Sequence, residues 1–128
     1  MSVLELNGRI FDASTTGTLT LTGEGGAATT DVTQGLAKVW CVVDQDDHSI
    51  KSSLNTTSVT DSSLGVTIVT VTNAMSDADY AGTGTIDTSR FNFSYNKVSS
   101  SSFKINARND AATFVDCLIH GFAFGDLA

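Results

Sequence analysis

Apolar and polar residues alternate with a period of two along several short stretches of the chain. In Gly17-Thr18-Leu19-Thr20-Leu21-Thr22 both leucines fall on one face and the threonines on the other, the pattern of a half-buried strand. The same alternation predicts strands at Phe91-Asn92-Phe93-Ser94-Tyr95 and Phe103-Lys104-Ile105-Asn106-Ala107, where aromatic and aliphatic side chains share a face. The polar run from Asn96 to Ser102 lies between these two strands and is the predicted loop of a hairpin, tipped by Asn96 or the serines.

Three stretches are apolar on both faces: Leu36 to Val43, Val66 to Val71 and Phe114 to Phe124. Strands covered on both sides have this composition. In the last stretch one parity holds Phe114, Leu118, Phe122 and Phe124, while the other holds Val115, Cys117, Ile119 and Ala123. One set fills a core and the other either meets a second subunit or belongs to a central strand. Between Ile68 and Val69 the alternation slips, a signature of a β-bulge. Asn109 to Val115 offers either a helical turn capped by Asn109 or Asp110 or a tight turn between strands, and the tight turn fits better. About eight short strands separated by Gly, Asn, Asp and Ser clusters predict an all-β fold, an antiparallel, jelly-roll-like β-sandwich.

Residues 1–35 differ from the remainder. Asp12 to Gly17 and Gly23 to Thr30 are poor in bulky apolar side chains and bury too little surface to order themselves. Val3, Leu4, Leu6, Ile10 and Phe11 supply apolar groups that a solvated tail does not need. Residues 1–35 are therefore expected to form an attachment or assembly arm, and 36–128 the sandwich domain. An additional hairpin on the same sandwich is the competing description.

Composition sharpens this picture. The 128 residues contain 33 Ser and Thr but no Pro, and 16% are charged, so much of the surface is hydroxyl. The net charge of −7 excludes a nucleic-acid-binding role built on phosphate neutralisation. It is spread along the chain. No apolar run reaches the length of a membrane span, and the N-terminus lacks the pattern of a secretory signal. Synthesis in a cytoplasm is expected, with Cys41 and Cys117 as buried thiols or, if their strands are neighbours, a bridge.

Candidate chemistry is sparse. His120 and Cys117 stand three apart in a predicted strand, so their side chains point to opposite faces. The run Asp44-Gln45-Asp46-Asp47-His48 is rich in carboxylates, yet Ser49 and Asn55 stand where a calcium loop places glycine and glutamate. A solvated acidic turn is expected there. No phosphate-binding loop, nucleophile elbow or Cys-x-x-Cys pair is present, and no catalytic residue, cofactor or metal site is assigned.

One set of motifs carries more specific information. Leu36-Ala37-Lys38-Val39-Trp40, Ser53-Leu54-Asn55, Ser58-Val59-Thr60-Asp61, Val66 to Val71 and Ala74-Met75-Ser76-Asp77-Ala78-Asp79-Tyr80 follow one another in order. In sequence and spacing they resemble a family of small virion structural proteins of tailed bacteriophages. The family is frequent in marine and freshwater phages, including cyanophages, and is usually labelled tail fibre or structural. The resemblance covers residues 36–80, with a looser echo over Phe103 to Asp116; Val39 and the acidic Asp44 to Asp47 depart from the family pattern.

The resemblance implies a role in a particle and no reaction. The expected function is a non-enzymatic, homotrimeric surface protein of the tail-fibre or receptor-binding type, located on the virion surface. Its partners would be further copies of itself, other tail or capsid proteins, and a host surface glycan or protein. The arm residues Val3, Leu4, Leu6, Ile10 and Phe11 and the terminal-strand residues Leu118, His120, Phe122 and Phe124 are the expected interfaces. A capsid decoration protein is the alternative. A carbohydrate-binding sandwich, which would need exposed rings among Trp40, Tyr80 and Tyr95, is the third reading; the apolar neighbours of Trp40 place that ring in the core.

Overall fold

The computed structural model describes residues 3–6, 9–12, 20–22, 29–88 and 91–128; for 3–31, 33 and 34 the description is limited to the backbone. The chain divides into two compact units, Met1–Leu36 and Ala37–Ala128.

In the first unit β1 (Val3–Leu6) pairs antiparallel with β2 (Arg9–Asp12), and β3 (Thr20–Thr22) with β4 (Thr29–Asp31). A single helical turn, α1 (Val32–Gly35), follows where the sequence predicts none. Thr18 and Leu19 of the first predicted strand lie outside the described residues, as do 13–17 and 23–28 of the two small-residue segments. The side chains of Val3, Leu4, Leu6, Ile10 and Phe11 also lie outside the description.

The second unit is a β-sandwich of eight antiparallel strands: β5 (Val39–Asp44), β6 (Ser49–Leu54), β7 (Thr56–Ser63), β8 (Val66–Val71), β9 (Ala81–Ile86), β10 (Phe91–Ser99), β11 (Ser102–Asn109) and β12 (Leu118–Phe124). One sheet has the order β10-β11-β8-β7 and the other β6-β5-β12-β9. Three hairpins stay within a sheet, whereas β12 returns from the far end of the chain to lie between β5 and β9. The inward faces meet in a core of Val39, Cys41, Val43, Val69, Val71, Phe103, Ile105, Ala107, Ile119 and Ala123. Burial alternates residue by residue along β5, β8 and β12, so each has one face in the core.

Several expectations need correction. The predicted loop Asn96–Ser102 is mostly strand, with Asn96 opposite Lys104 and Lys97 opposite Phe103. Only Ser100 and Ser101 form the turn, because the Ser99 hydroxyl accepts the Ser101 amide at 3.2 Å and folds the chain locally. Between Ile68 and Val69 there is no bulge: β8 keeps continuous register with β11, and the slip arises because Thr67 occupies an inward position. The strand read as Phe114–Phe124 starts only at Leu118. Ahead of it the Val115 amide donates to the Ala107 carbonyl at 3.2 Å, and the Asp116 carboxylate accepts the Gly65 amide at 2.7 Å. Phe114 lies beneath the Arg108 guanidinium, 4.1 Å from ring centroid to cation.

The turn after β11 is tight, as the sequence suggests. The Asn109 side chain accepts the amides of Ala111 and Thr113, both at 3.0 Å, and Ala112 takes a left-handed conformation with φ of 59°.

Candidate functional site

The carboxylate-rich turn between β5 and β6 is the first place to look for chemistry, and two of its three carboxylates, Asp44 and Asp47, are already paired. Lys51 Nζ lies 3.2 Å from an Asp44 oxygen and 3.0 Å from an Asp47 oxygen, so an ammonium holds the position a cation would take. Ser49 and Lys51 beside Asp47 hold its carboxyl down at about 2, and the Asp47 and Asp44 carboxylates raise the Lys51 ammonium above its ordinary value. His48 reaches toward Asp61 at 3.6 Å. Among the described residues no group of three or more His, Cys, Asp or Glu side chains gathers to hold a metal.

Gln45 in this turn is not solvated. It is completely buried, donating from Nε2 to Thr67 Oγ1 at 3.1 Å across the two sheets while its backbone amide donates to the Cys117 carbonyl. The Cys117 thiol sits 3.8 Å from Gln45 Oε1. Both cysteines are free and buried. Burial pushes each thiol up to about 11, with the Asp46, Asp116 and Asp44 carboxylates adding to the effect at Cys117. Cys117 faces the core and His120 the opposite side of the sheet, so the structure does not bring a thiol to an imidazole.

A second location is the depression between β9 and β10, lined by Tyr80, Ala81, Gly82, Tyr95, Asn96 and Lys97. Its aromatic rings are occupied. Tyr80 is buried and donates its single hydroxyl proton between the carbonyls of Ser99 and Ser102, each 2.9 Å away. Tyr95 meets Tyr80 edge-on at 6.4 Å and lies against Phe103 at 5.0 Å, and burial raises its hydroxyl well above the ordinary value. Gly82 and Gly84 face inward on β9, leaving the space that the rings of Tyr95 and Phe93 fill. Of the three Tyr and Trp residues in the sequence, Tyr80 and Tyr95 pack against each other here, whereas Trp40 is half-buried and lies elsewhere.

The third location is the outer face of the β6-β5-β12-β9 sheet. Here the core role expected for Trp40 is overturned: Val39, Cys41 and Val43 take the inward positions of β5, so parity turns Trp40 and Val42 outward. Along β12 the inward residues are Ile119, Gly121 and Ala123, and the predicted interface residues Leu118, His120, Phe122 and Phe124 all point the other way. Register places Phe122 directly opposite Trp40, and Trp40 opposite Leu54, forming an apolar row across three strands. Leu54 is 49% exposed. In the midst of this face the Nε2 atom of His120 is buried without a hydrogen-bond partner among the described residues. An apolar sheet face with one unsatisfied polar atom can bury surface against a partner.

No family model matches the chain, and neither the curated proteins nor the solved structures contain a match. The signals missed in the sequence are the alternating glycines of Ala81-Gly82-Thr83-Gly84-Thr85-Ile86 and the lone Gln45 among aspartates. The glycine alternation has a period of two and marks a strand beneath large rings. Nothing about Gln45 distinguishes it from a surface glutamine until Thr67 is seen opposite.

Proposed function

We propose that this protein is a non-enzymatic structural component of a tailed-phage virion, displayed at the surface as a homotrimer of the tail-fibre or receptor-binding type. The observation that carries the self-assembly half of this reading is the row Leu54, Trp40 and Phe122 on the outer sheet face, extended along β12 by Leu118 and Phe124. Burying such a row between copies removes apolar surface from water at roughly 25 cal/mol per Å². A closed oligomer hides the same face on every subunit. The phage assignment rests on the resemblance of residues 36–80, and the three-fold number on the common symmetry of such fibres.

Light scattering on the purified chain tests the assembly: a mass that is a multiple of three chains of 13.4 kDa is expected, and Phe122→Ser should abolish the threefold association. A monomeric wild-type protein overturns the trimer. Gold-labelled antibody on intact particles tests the location. Label on the tail supports the fibre, label on the head replaces it with the capsid decoration role, and unlabelled particles overturn the virion reading.

A further inference from the structure

Each sheet of the sandwich ends in two edge strands, and three of the four carry a feature that discourages further pairing. β6 bears Lys51 and a register shift against β5, β7 bears Asp61 and two shifts against β8, and β10 bears Lys97 and a shift against β11. Charges and bulges of this kind are how edge strands are kept from adding another strand. β9 has neither. Its residues Ala81-Gly82-Thr83-Gly84-Thr85-Ile86 include no charge and no proline, and their register with β12 is unbroken from Ile86 opposite Ile119 to Ala81 opposite Phe124.

The phase of the ladder fixes which backbone groups face outward. The Asp87 amide donates to the Leu118 carbonyl at 3.1 Å, so Thr85, Thr83 and Ala81 direct their amides and carbonyls toward β12. Gly82, Gly84 and Ile86 then direct theirs to the free edge. None of these three makes a backbone hydrogen bond outside the sheet ladder among the described residues.

We propose that this edge pairs with β9 of a second copy of the chain, antiparallel about Gly84, to make one continuous eight-stranded sheet. A second copy suits the edge because subunits of net charge −7 can approach along β9 without placing a charged β9 side chain opposite its like. The strand is also complementary to itself. With Gly84 opposite Gly84 of the partner subunit, Gly82 meets the partner's Ile86, inward positions meet inward positions, and every outward-directed amide finds a carbonyl. On the outer face Thr83 faces the partner's Thr85, a favourable cross-strand pair. This contact uses the strand edge, whereas the trimer uses the sheet face, so either can fail without the other.

Thr83 and Thr85 are exposed, and in this register they form a non-hydrogen-bonded pair with Cα atoms roughly 4.5 Å apart, close enough for a disulfide. Oxidising folded T83C/T85C with oxidised glutathione should yield a species of twice 13.4 kDa on a non-reducing gel, while T83C alone stays a single chain. Adding Phe122→Ser removes the face contact and should leave the cross-linked dimer intact, which separates this edge from the trimer. Circular dichroism before oxidation establishes that each variant is folded. A folded T83C/T85C that remains a single chain overturns the pairing, and equal cross-linking of T83C alone overturns the register.

Discussion

Gly84 of β9 lies directly against the Phe93 ring of β10, so close that a methyl group on Gly84 would stand 2.5 Å from two ring carbons and would also strike the His120 carbonyl. Gly82 bears the same relation to the Tyr95 ring. Two bare positions on one strand thus accommodate two large side chains from the opposite sheet.

Gly84→Ala should therefore destabilise the sandwich by about 1–3 kcal/mol, the usual cost of overpacking a tight core. Thr83→Ala, one residue away on the exposed side, should cost less than about 1 kcal/mol on the span of strand propensities. Urea denaturation midpoints of the two variants measure the difference. Equal midpoints would show that the ring contact does not set the fit.

Thr67→Val should be costly despite its near-identical shape. It removes the acceptor for the buried Gln45 amide and leaves that donor without a partner, at about 1–3 kcal/mol. Gln45→Leu combined with Thr67→Val should recover part of the loss, and a double-mutant cycle of unfolding free energies reads the coupling directly.

Carboxyl titration by NMR should place the Asp47 midpoint at about 2, against 3.8 for an unperturbed group, and Lys51→Met should raise it. Because the folded value is depressed, the stabilisation is present above pH 3.8 and is lost as the pH falls through 2. A midpoint unchanged by Lys51→Met would remove the ammonium from the explanation.

At the alkaline end the sign reverses. Cys41 and Cys117 ionise near 9.0 in the unfolded chain but only at about 11 when folded, so their neutral burial favours the native state below pH 9 and this advantage is lost on the way to 11. Tyr95, raised by burial, acts in the same direction. Thermal midpoints should fall as pH rises across this range, and a cysteine alkylating reagent at pH 8 should label the protein only after denaturant is added. Rapid labelling of the native protein would contradict the burial of both thiols.

The sandwich was legible wherever one side of a strand is apolar and the other polar, as at Phe91–Tyr95 and Phe103–Ala107. Strands with apolar groups on both faces betrayed their existence but not their orientation. Trp40 and Val39 are neighbours that can each fill a core position, and only the packing of β5 in the sandwich decides which does. Leu118, Phe122 and Phe124 separate cleanly from Ile119 and Ala123 by parity, yet parity names no inside. Gln45 was illegible because its partner, Thr67, is 22 residues away on the other sheet. The free edge at β9 lay hidden for a similar reason: an edge is a property of the sheet order, which no local pattern encodes.

The position of β12 governs how the molecule can be made. It is the eighth strand of the sandwich in chain order, but it is the one that joins β5 to β9. Seven of the sandwich's strands leave the ribosome before it, and until it arrives β9 has no neighbour in its sheet and β5 lacks the adjoining strand that brings Ile119 and Ala123 to the core. The sandwich is therefore completed only after β12 is translated, and a nascent chain halted in the loop after β11 leaves β5 and β9 unjoined. Such long-range closure is slow, so the unfinished chain spends its most aggregation-prone interval with the uncharged β9 unprotected.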